Sequence, residues 1–424
     1  MILLSHPTGN NFSRALLAGL LKAGLLGRFV TSVAVKESAG WLNGLPSKLR
    51  GELLRRKFDL PDSFIETHPL RELCRLAASK SGARFLTRHD TGLLSWNSVY
   101  RGVDRAVARG LPRAIEEHQI TAVYAYEDGA LETFRAARRL GLERIYDLPI
   151  AYWETGRRLM AEEQERVPAW RITLEGMQDS ETKLRAKTEE LDLANTVVCP
   201  SQFVYDSLPE SARENKRCIV APFGSPPPRQ RGPNAPSPGG DRAPQLQASA
   251  PLRILFAGSM TQRKGLADLF AAMQLVRRRD VQLVVFGSPV APMAFYRREF
   301  SDFVYEAPRP HKEVLRLMET CDVLVLPSIV EGRALVQQEA MSCGLPLIIT
   351  PNTGGEDLIE EGRTGFLVPI RSPEAIAEKV HWFADHRGEL EAMREHARRK
   401  AAELTWSAYA NAILAGMAEG QLRS

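Results

Sequence analysis

Short apolar runs, each closed by a polar or glycine-containing turn and followed by helical periodicity, recur along both halves of the chain. In the first half ILLS (residues 2–5) leads into a helix predicted from about Ser13, TAVYAY (121–126) into one from about Ala130, and TVVCPS (196–201) into the segment from Gln202. In the second half RILFAGS, VQLVVFGS, VLVLPS and PLIITP repeat the pattern. Continuous Val, Ile and Leu runs suit strands buried on both faces, and their alternation with helices predicts βαβ units. Between the halves lies SPPPRQRGPNAPSPGGDRAPQLQASAP, residues 225–251, with eight prolines and three glycines. Such a stretch cannot build a core and reads as a linker.

The expected organisation is a first domain over residues 1–221, a linker over 222–251, a second domain over 252–404 and a terminal helix over 405–424. The fold class is α/β, two doubly wound domains with ligands bound at the carboxyl ends of the strands, in the cleft between them. Behind Thr405 as N-cap, the residues Trp406, Tyr409, Ala410, Ile413, Leu414 and Met417 share one helical face. That face suits packing on the helix's own domain or a return across the hinge to the first.

With 424 residues, 44% hydrophobic and 25% charged, the composition is that of a soluble globular protein of two ordinary domains. No run approaches the ~20 apolar residues of a spanning helix, LLAGLLKAGLL being broken by Lys22. The start, MILLSHPTGNN, lacks the basic opening of a secretory signal. The five cysteines are scattered and form no C-x-x-C pair, which points to reduced thiols in a cytoplasm. The net charge of +5 is uneven: Gly44 to Arg113 holds 14 Lys and Arg against 7 Asp and Glu. Such a segment serves solubility or an anionic surface. Nucleic acid is not an expected partner, since no helix-turn-helix, RNA-binding or zinc-finger signature accompanies the charge. WLNGLPSKLRGELLRRKF sets Trp41, Leu42, Leu45, Leu49 and Leu53 among cations, and weak peripheral contact with an anionic membrane is expected there.

Candidate chemistry concentrates in the second half. In FAGSMTQRKGLADLF a strand ends at Gly258 and Lys264-Gly265 opens a helix. Glycine admits close backbone approach, and the cation and helix start both favour phosphate. The spacing is neither a Walker loop nor G-x-G-x-x-G, so a nicotinamide or flavin dinucleotide is not expected. In EGRALVQQEAMSCGLPLI, Glu331 lies in the loop after VLVLPS, and a helix is expected from about Ala334 past Ala340. Around its start Arg333, Ala334 and Leu335 offer a second phosphate cradle, with Glu331 on one side and Glu339 on the other. Carboxylates accept hydrogen bonds from paired hydroxyls. A nucleotide-diphosphate sugar supplies sugar hydroxyls, diphosphate and ribose hydroxyls in that order. Taken singly, Glu339 reads equally as a helix acid, Glu331 as loop polarity and Lys264 as a solvated turn. No D-x-D occurs in the chain, so neither a metal nor any other cofactor is expected.

The glutamate pair, followed by AMSCGLPLI and then TGGEDLIEEGRTGFLVP, resembles the retaining glycosyltransferases of family 4, which have the two-domain GT-B architecture. The resemblance runs from RILFAGS to TWSAYA in the second half. It is looser in the first, through HPTGNN, RIYDLPIAYW, LDLANTVVCPSQFV and IVAPFG. It implies that Glu339 holds the nucleotide ribose, Glu331 contacts the transferred sugar and Lys264 binds the diphosphate. The Gly9-Asn10 loop would face the donor phosphates from the other domain. Three positions depart from the family pattern. Ser259 follows Gly258 where an arginine is usual, leaving Arg263 to substitute; Gly332-Arg333-Ala334 replaces a glycine-aromatic loop; and Asp147 stands where many members have histidine. The resemblance further implies a metal-independent, retaining transfer by front-face attack, the departing diphosphate helping to deprotonate an acceptor hydroxyl. The expected acceptor is envelope or polysaccharide related, lipid-linked or polymeric, met in the cytoplasm or at the inner membrane face. The alternatives are a nucleotide-sugar epimerase on the same scaffold and a non-catalytic nucleotide-sugar-binding protein.

Overall fold

The computed structural model describes residues 1–35, 44, 50–51, 54–174, 179–229 and 250–421. Among them the strands form two parallel sheets. The first comprises β1 (Ile2–Ser5), β2 (Leu26–Thr31), β3 (Ile65–Thr67), β4 (Ala122–Tyr126), β5 (Glu143–Asp147), β6 (Thr196–Cys199) and β7 (Arg217–Val220), in the order β3-β2-β1-β4-β5-β6-β7. The second comprises β8 (Leu252–Ala257), β9 (Val281–Phe286), β10 (Val304–Glu306), β11 (Val323–Leu326), β12 (Leu347–Ile349) and β13 (Gly365–Leu367), in the order β10-β9-β8-β11-β12-β13. The unalternating apolar runs have their cause here: Val323, Leu324, Val325 and Leu326 of β11 are fully enclosed, with helices on both faces of the sheet.

In each sheet the strand order reverses once, between β1 and β4 and between β8 and β11. Helices leave such neighbours towards opposite faces and open a crevice at their carboxyl ends. In the second domain those ends are Gly258 and Pro327, which brings the Lys264 turn and the Glu331 loop side by side although 67 residues separate the two side chains in sequence. In the first domain the corresponding ends are His6 and Glu127.

Chain crossings tie the domains together. The helix Trp153–Arg166 and the 3-10 turn Pro168–Thr173 leave the first domain, and Trp170 packs among the rings of Phe270, Phe295 and Tyr296 in the second. Gly332 comes so close to Pro149 that a Cβ would stand 1.8 Å from the Pro149 carbonyl oxygen, so only glycine fits. Its own carbonyl accepts from Ser201 Oγ at 2.6 Å. The terminal helix Trp406–Gln421, with Thr405 Oγ1 accepting from the Ala408 amide, returns to the first domain. Its Tyr409 and Ile413 join Leu16, Leu17 and Leu20 in one core.

Linker residues 230–249 lie outside the described residues, as do Trp41, Leu42, Leu45, Leu49 and Leu53 of the expected membrane contact. Among the described residues no helix is long and apolar enough to cross a membrane.

Candidate active site

The Lys264 turn is fixed before any ligand arrives. Residues Gln262–Lys264 form a 3-10 turn that ends at Gly265 (φ +74), where a Cβ would sit 1.9 Å from the Pro327 carbonyl oxygen. The turn therefore rests directly on the end of β11. The Gln262 side chain, fully buried, anchors it further. Its Oε1 accepts from the Ala267 amide (2.9 Å) at the start of the helix Leu266–Val276, and its Nε2 donates to Glu163 (2.7 Å) and Asp268 (2.8 Å). Arg166 bridges the same two carboxylates, and Arg371 adds a 2.5 Å contact to Glu163. Burial raises the Glu163 carboxyl, but Arg166, Gln262 and Arg371 outweigh it and leave it below the ordinary range. A first-domain carboxylate thus braces the second domain's cationic turn.

On this frame Lys264 Nζ lies 2.5 Å from Glu331 Oε1, and Arg263 donates to the same oxygen and to the Val330 carbonyl at 3.0 Å. Lys264 is nine-tenths buried; burial pushes its ammonium pKa down, and Glu331 opposes that shift. Two cations share one carboxylate, so the cluster holds a surplus positive charge that suits an anion. Nearby in the chain, the buried hydroxyls of Thr261 and Ser328 have no hydrogen-bond partner, which invites a ligand or water.

The helix after Glu331 runs Leu335–Ser342. Of the three residues expected to cradle phosphate, Arg333 commits its side chain and Ala334 its amide elsewhere. Arg333 is buried, its guanidinium pairing with both Asp357 oxygens (2.6 and 3.0 Å) and donating to the Gly354 carbonyl (2.8 Å). The guanidinium braces the 353–357 loop and is not free to meet a phosphate. The Ala334 amide donates to the Thr353 carbonyl at 3.1 Å. Leu335 begins the helix, so its amide and that of Val336 belong to the first turn, where intrahelical acceptors are lacking. Further along, Glu339 is raised by burial against an opposing effect of His311, whose Nδ1 lies 3.8 Å from Glu339 Oε1. His311 opens the helix His311–Glu319. The only sequence sign of it is the Pro310-His311 pair at a helix start.

The first-domain residues are placed differently from expectation. The Gly9 amide points inward to His6 Nδ1 (2.8 Å), and Asn10 caps the helix Asn11–Lys22 through a reciprocal pair of 2.9 Å bonds with Ser13. Neither amide is turned towards a donor. His6 Nδ1 also accepts the Thr8 amide (3.2 Å), and burial lowers its pKa to about 3. Asp147 at the end of β5 is enclosed, accepting from the Tyr124 hydroxyl at 2.5 Å, with the Tyr409 hydroxyl of the terminal helix near enough to oppose the effect of burial on its pKa. Its bond to Tyr124 stays within the first-domain sheet, and the carboxylate does not join the Glu331 cluster. On the first-domain side of Val330 a cavity of about 500 Å³ opens, walled by Trp153, Met160, Leu184 and Val330, with Asp179 and Lys187 at its polar wall. Among the described residues no three His, Cys, Asp or Glu side chains gather as metal ligands.

Residues 251–386 match the family described as "Glycosyl transferases group 1". Over 171 residues the chain is 30% identical to a putative colanic acid biosynthesis glycosyltransferase, WcaL, of Salmonella typhimurium, a match covering 36% of this chain and 41% of that protein. It is likewise 30% identical over 193 residues to the D-inositol 3-phosphate glycosyltransferase of Corynebacterium glutamicum, covering 41% of this chain and 46% of that one. The matches span less than half the length of these curated relatives. Among solved structures, sucrose-phosphate synthase of Thermosynechococcus elongatus superposes with a TM-score of 0.63 at 17% identity, covering 99% of this chain and 98% of that one. HepE of Anabaena, solved with UDP and glucose, superposes at 0.59 and 16% identity, covering 99% of each chain. At such identities these neighbours speak for the fold.

Proposed function

We propose, from the premise that residues 251–386 belong to the group 1 glycosyltransferases and that the chain has the GT-B fold, that the protein moves a sugar from a nucleoside-diphosphate donor to a hydroxyl acceptor with retention, as family 4 enzymes do. The observation that carries the reading is the meeting of Arg263, Lys264 and Glu331 at the second domain's switch point, with Glu339 beyond them on the adjoining helix. In the absence of donor, Glu331 pairs with both cations and offsets one of their two charges. An arriving diphosphate is the stronger anion; it takes over Lys264 and Arg263 and releases Glu331 to accept hydrogen bonds from the sugar. Glu339 accepts from the ribose hydroxyls at the other end, beside His311. As the glycosidic bond breaks, negative charge grows on the leaving diphosphate, where the cations and the first-turn amides of Leu335 and Val336 are already oriented to stabilise it.

The acceptor occupies the cavity beyond Val330, with Trp153 and Met160 offering an apolar wall. The HepE structures with UDP and UDP-glucose support a uridine donor as the first to try, and the WcaL relative, named for colanic acid biosynthesis, supports a role in polysaccharide assembly. The reaction needs no metal in this reading, and a lipid-linked or polymeric acceptor is met at the inner membrane face. Incubation with a panel of nucleotide sugars, with and without a chelator, tests the reading. Donor binding with chelator-resistant, acceptor-dependent release of the diphosphate is expected. Epimer formation without acceptor, or binding without any turnover, contradicts it.

A further inference from the structure

The first domain carries a second surface that the cleft chemistry leaves unused. The helix Leu70–Lys80 leaves the carboxyl end of edge strand β3, the end at which the cleft opens. Its water-facing side presents Leu70, Leu73 and Ala77, followed by Lys80, at spacings of three and four residues. Leu70 is 74% exposed and Leu73 48%, and the following segment adds Phe85 at 76%, Leu93 at 77% and Trp96 at 46%. A surface helix normally turns such a stripe to the core, so these side chains standing in water call for a partner.

The exposure is built into the local structure. The loop bearing Phe85 and Leu93 is closed by Leu94 N to Leu86 O (2.8 Å) and Gly92 N to Arg88 O (3.0 Å). Asp90 accepts from Asn97 and from the Ser180 amide, and Ser98 Oγ donates to the Leu93 carbonyl. The charges are sorted as well. The two acids of this stretch turn inward: Asp90 into those bonds, and Glu72 into full burial between Arg56 and Arg75. Arg71, Lys80, Arg84 and Arg88 remain exposed. Arg75 lies over the Trp96 ring at 3.7 Å, fixing the indole at the edge of the patch.

We propose that Leu70, Leu73, Phe85 and Leu93 form a docking face for an anionic lipid bilayer, with Lys80, Arg84 and Arg88 meeting the headgroups. A bilayer interface offers a negative layer over an apolar one, which matches isolated apolar side chains interleaved with cations. A protein partner would instead require one continuous apolar surface with a polar rim. The assignment rests on the membrane-side part of the proposed function and is independent of the donor chemistry. It places the contact on residues 70–96, beside the cleft mouth, where a lipid-borne acceptor would reach the cavity next to Val330.

Co-sedimentation of the full chain with vesicles of phosphatidylglycerol and phosphatidylcholine in equal parts, and of phosphatidylcholine alone, tests the face. Salt-sensitive binding to the first and none to the second is expected. Phe85→Ser/Leu93→Ser and Arg84→Glu/Arg88→Glu should each lower partitioning by about tenfold or more, since one cation at the surface is worth about fivefold. UDP titration of every variant runs in parallel, and unchanged affinity shows that fold and donor site are intact. A wild type that fails to bind UDP but still sediments with the anionic vesicles counts against the donor reading alone. Wild-type protein that ignores anionic vesicles, or variants that partition like wild type, overturn the proposal. So does self-association, seen by sedimentation velocity, that both variants abolish.

Discussion

Replacing Asp147 by asparagine separates its structural role from a catalytic one. The carboxylate is 1% exposed and hydrogen-bonded by Tyr124, with Tyr409 of the terminal helix beside it. Burial raises its pKa from 3.8 to about 7, the two tyrosine hydroxyls acting in the opposite direction. The folded state therefore holds a proton that the unfolded chain has already lost. Stability is fully present below about pH 4 and is lost as the pH rises through 7. Integrated between pH 5 and pH 8, that linkage amounts to roughly 2–3 kcal/mol. Glu127, also raised to about 7 by burial, titrates over the same range. Its contribution cancels when wild type is compared with Asp147→Asn, which keeps the shape and removes the titration. Urea unfolding at the two pH values should show the variant gaining roughly 2–3 kcal/mol on wild type from pH 5 to pH 8, with UDP affinity unchanged. Parallel pH profiles would refute the protonated-carboxyl reasoning. Lost transfer with unaltered stability would return Asp147 to the chemistry.

Gln262→Ala leaves Glu163, Asp268 and the Ala267 amide each short of a partner. It should lower stability by about 1–3 kcal/mol in thermal unfolding and also weaken UDP binding, because the Lys264 turn loses its brace. Arg333→Met breaks the Asp357 pair and should destabilise by a similar ~1–3 kcal/mol, but leave UDP affinity unchanged by calorimetry; lost affinity would restore a donor role for Arg333. Lys264→Ala should weaken UDP by about 1.5–3 kcal/mol and slow transfer as well, because leaving-group charge grows in the transition state.

The strands were legible because buried parallel strands cannot alternate, and VLVLPS or RILFAGS admit little else. The proximity of Lys264 and Glu331 followed from reading both as loops at strand ends, which the reversal of strand order between β8 and β11 makes neighbours. Side-chain commitments were less legible. Nothing in Gly332-Arg333-Ala334 announces that the guanidinium pairs with Asp357, 24 residues on. Gln262 reads as loop polarity until Glu163, 99 residues earlier, comes to meet it. The terminal helix had one clear apolar face and two domains that could receive it. The close fit of Ala410 against Gly19, where a Cβ would stand 2.7 Å from the alanine methyl, depends on backbone proximity that spacing does not encode.

The central claim is that the two glutamates serve opposite ends of one donor, and UDP titration of Glu331→Ala and Glu339→Ala tests it most directly. Glu339→Ala should lose about 1.5–3 kcal/mol of UDP affinity through its ribose contact. Glu331→Ala should keep that affinity or gain some, because Lys264 and Arg263 no longer have to leave a carboxylate, while transfer from the intact nucleotide sugar falls. Equal loss of UDP affinity in both variants would contradict the assignment.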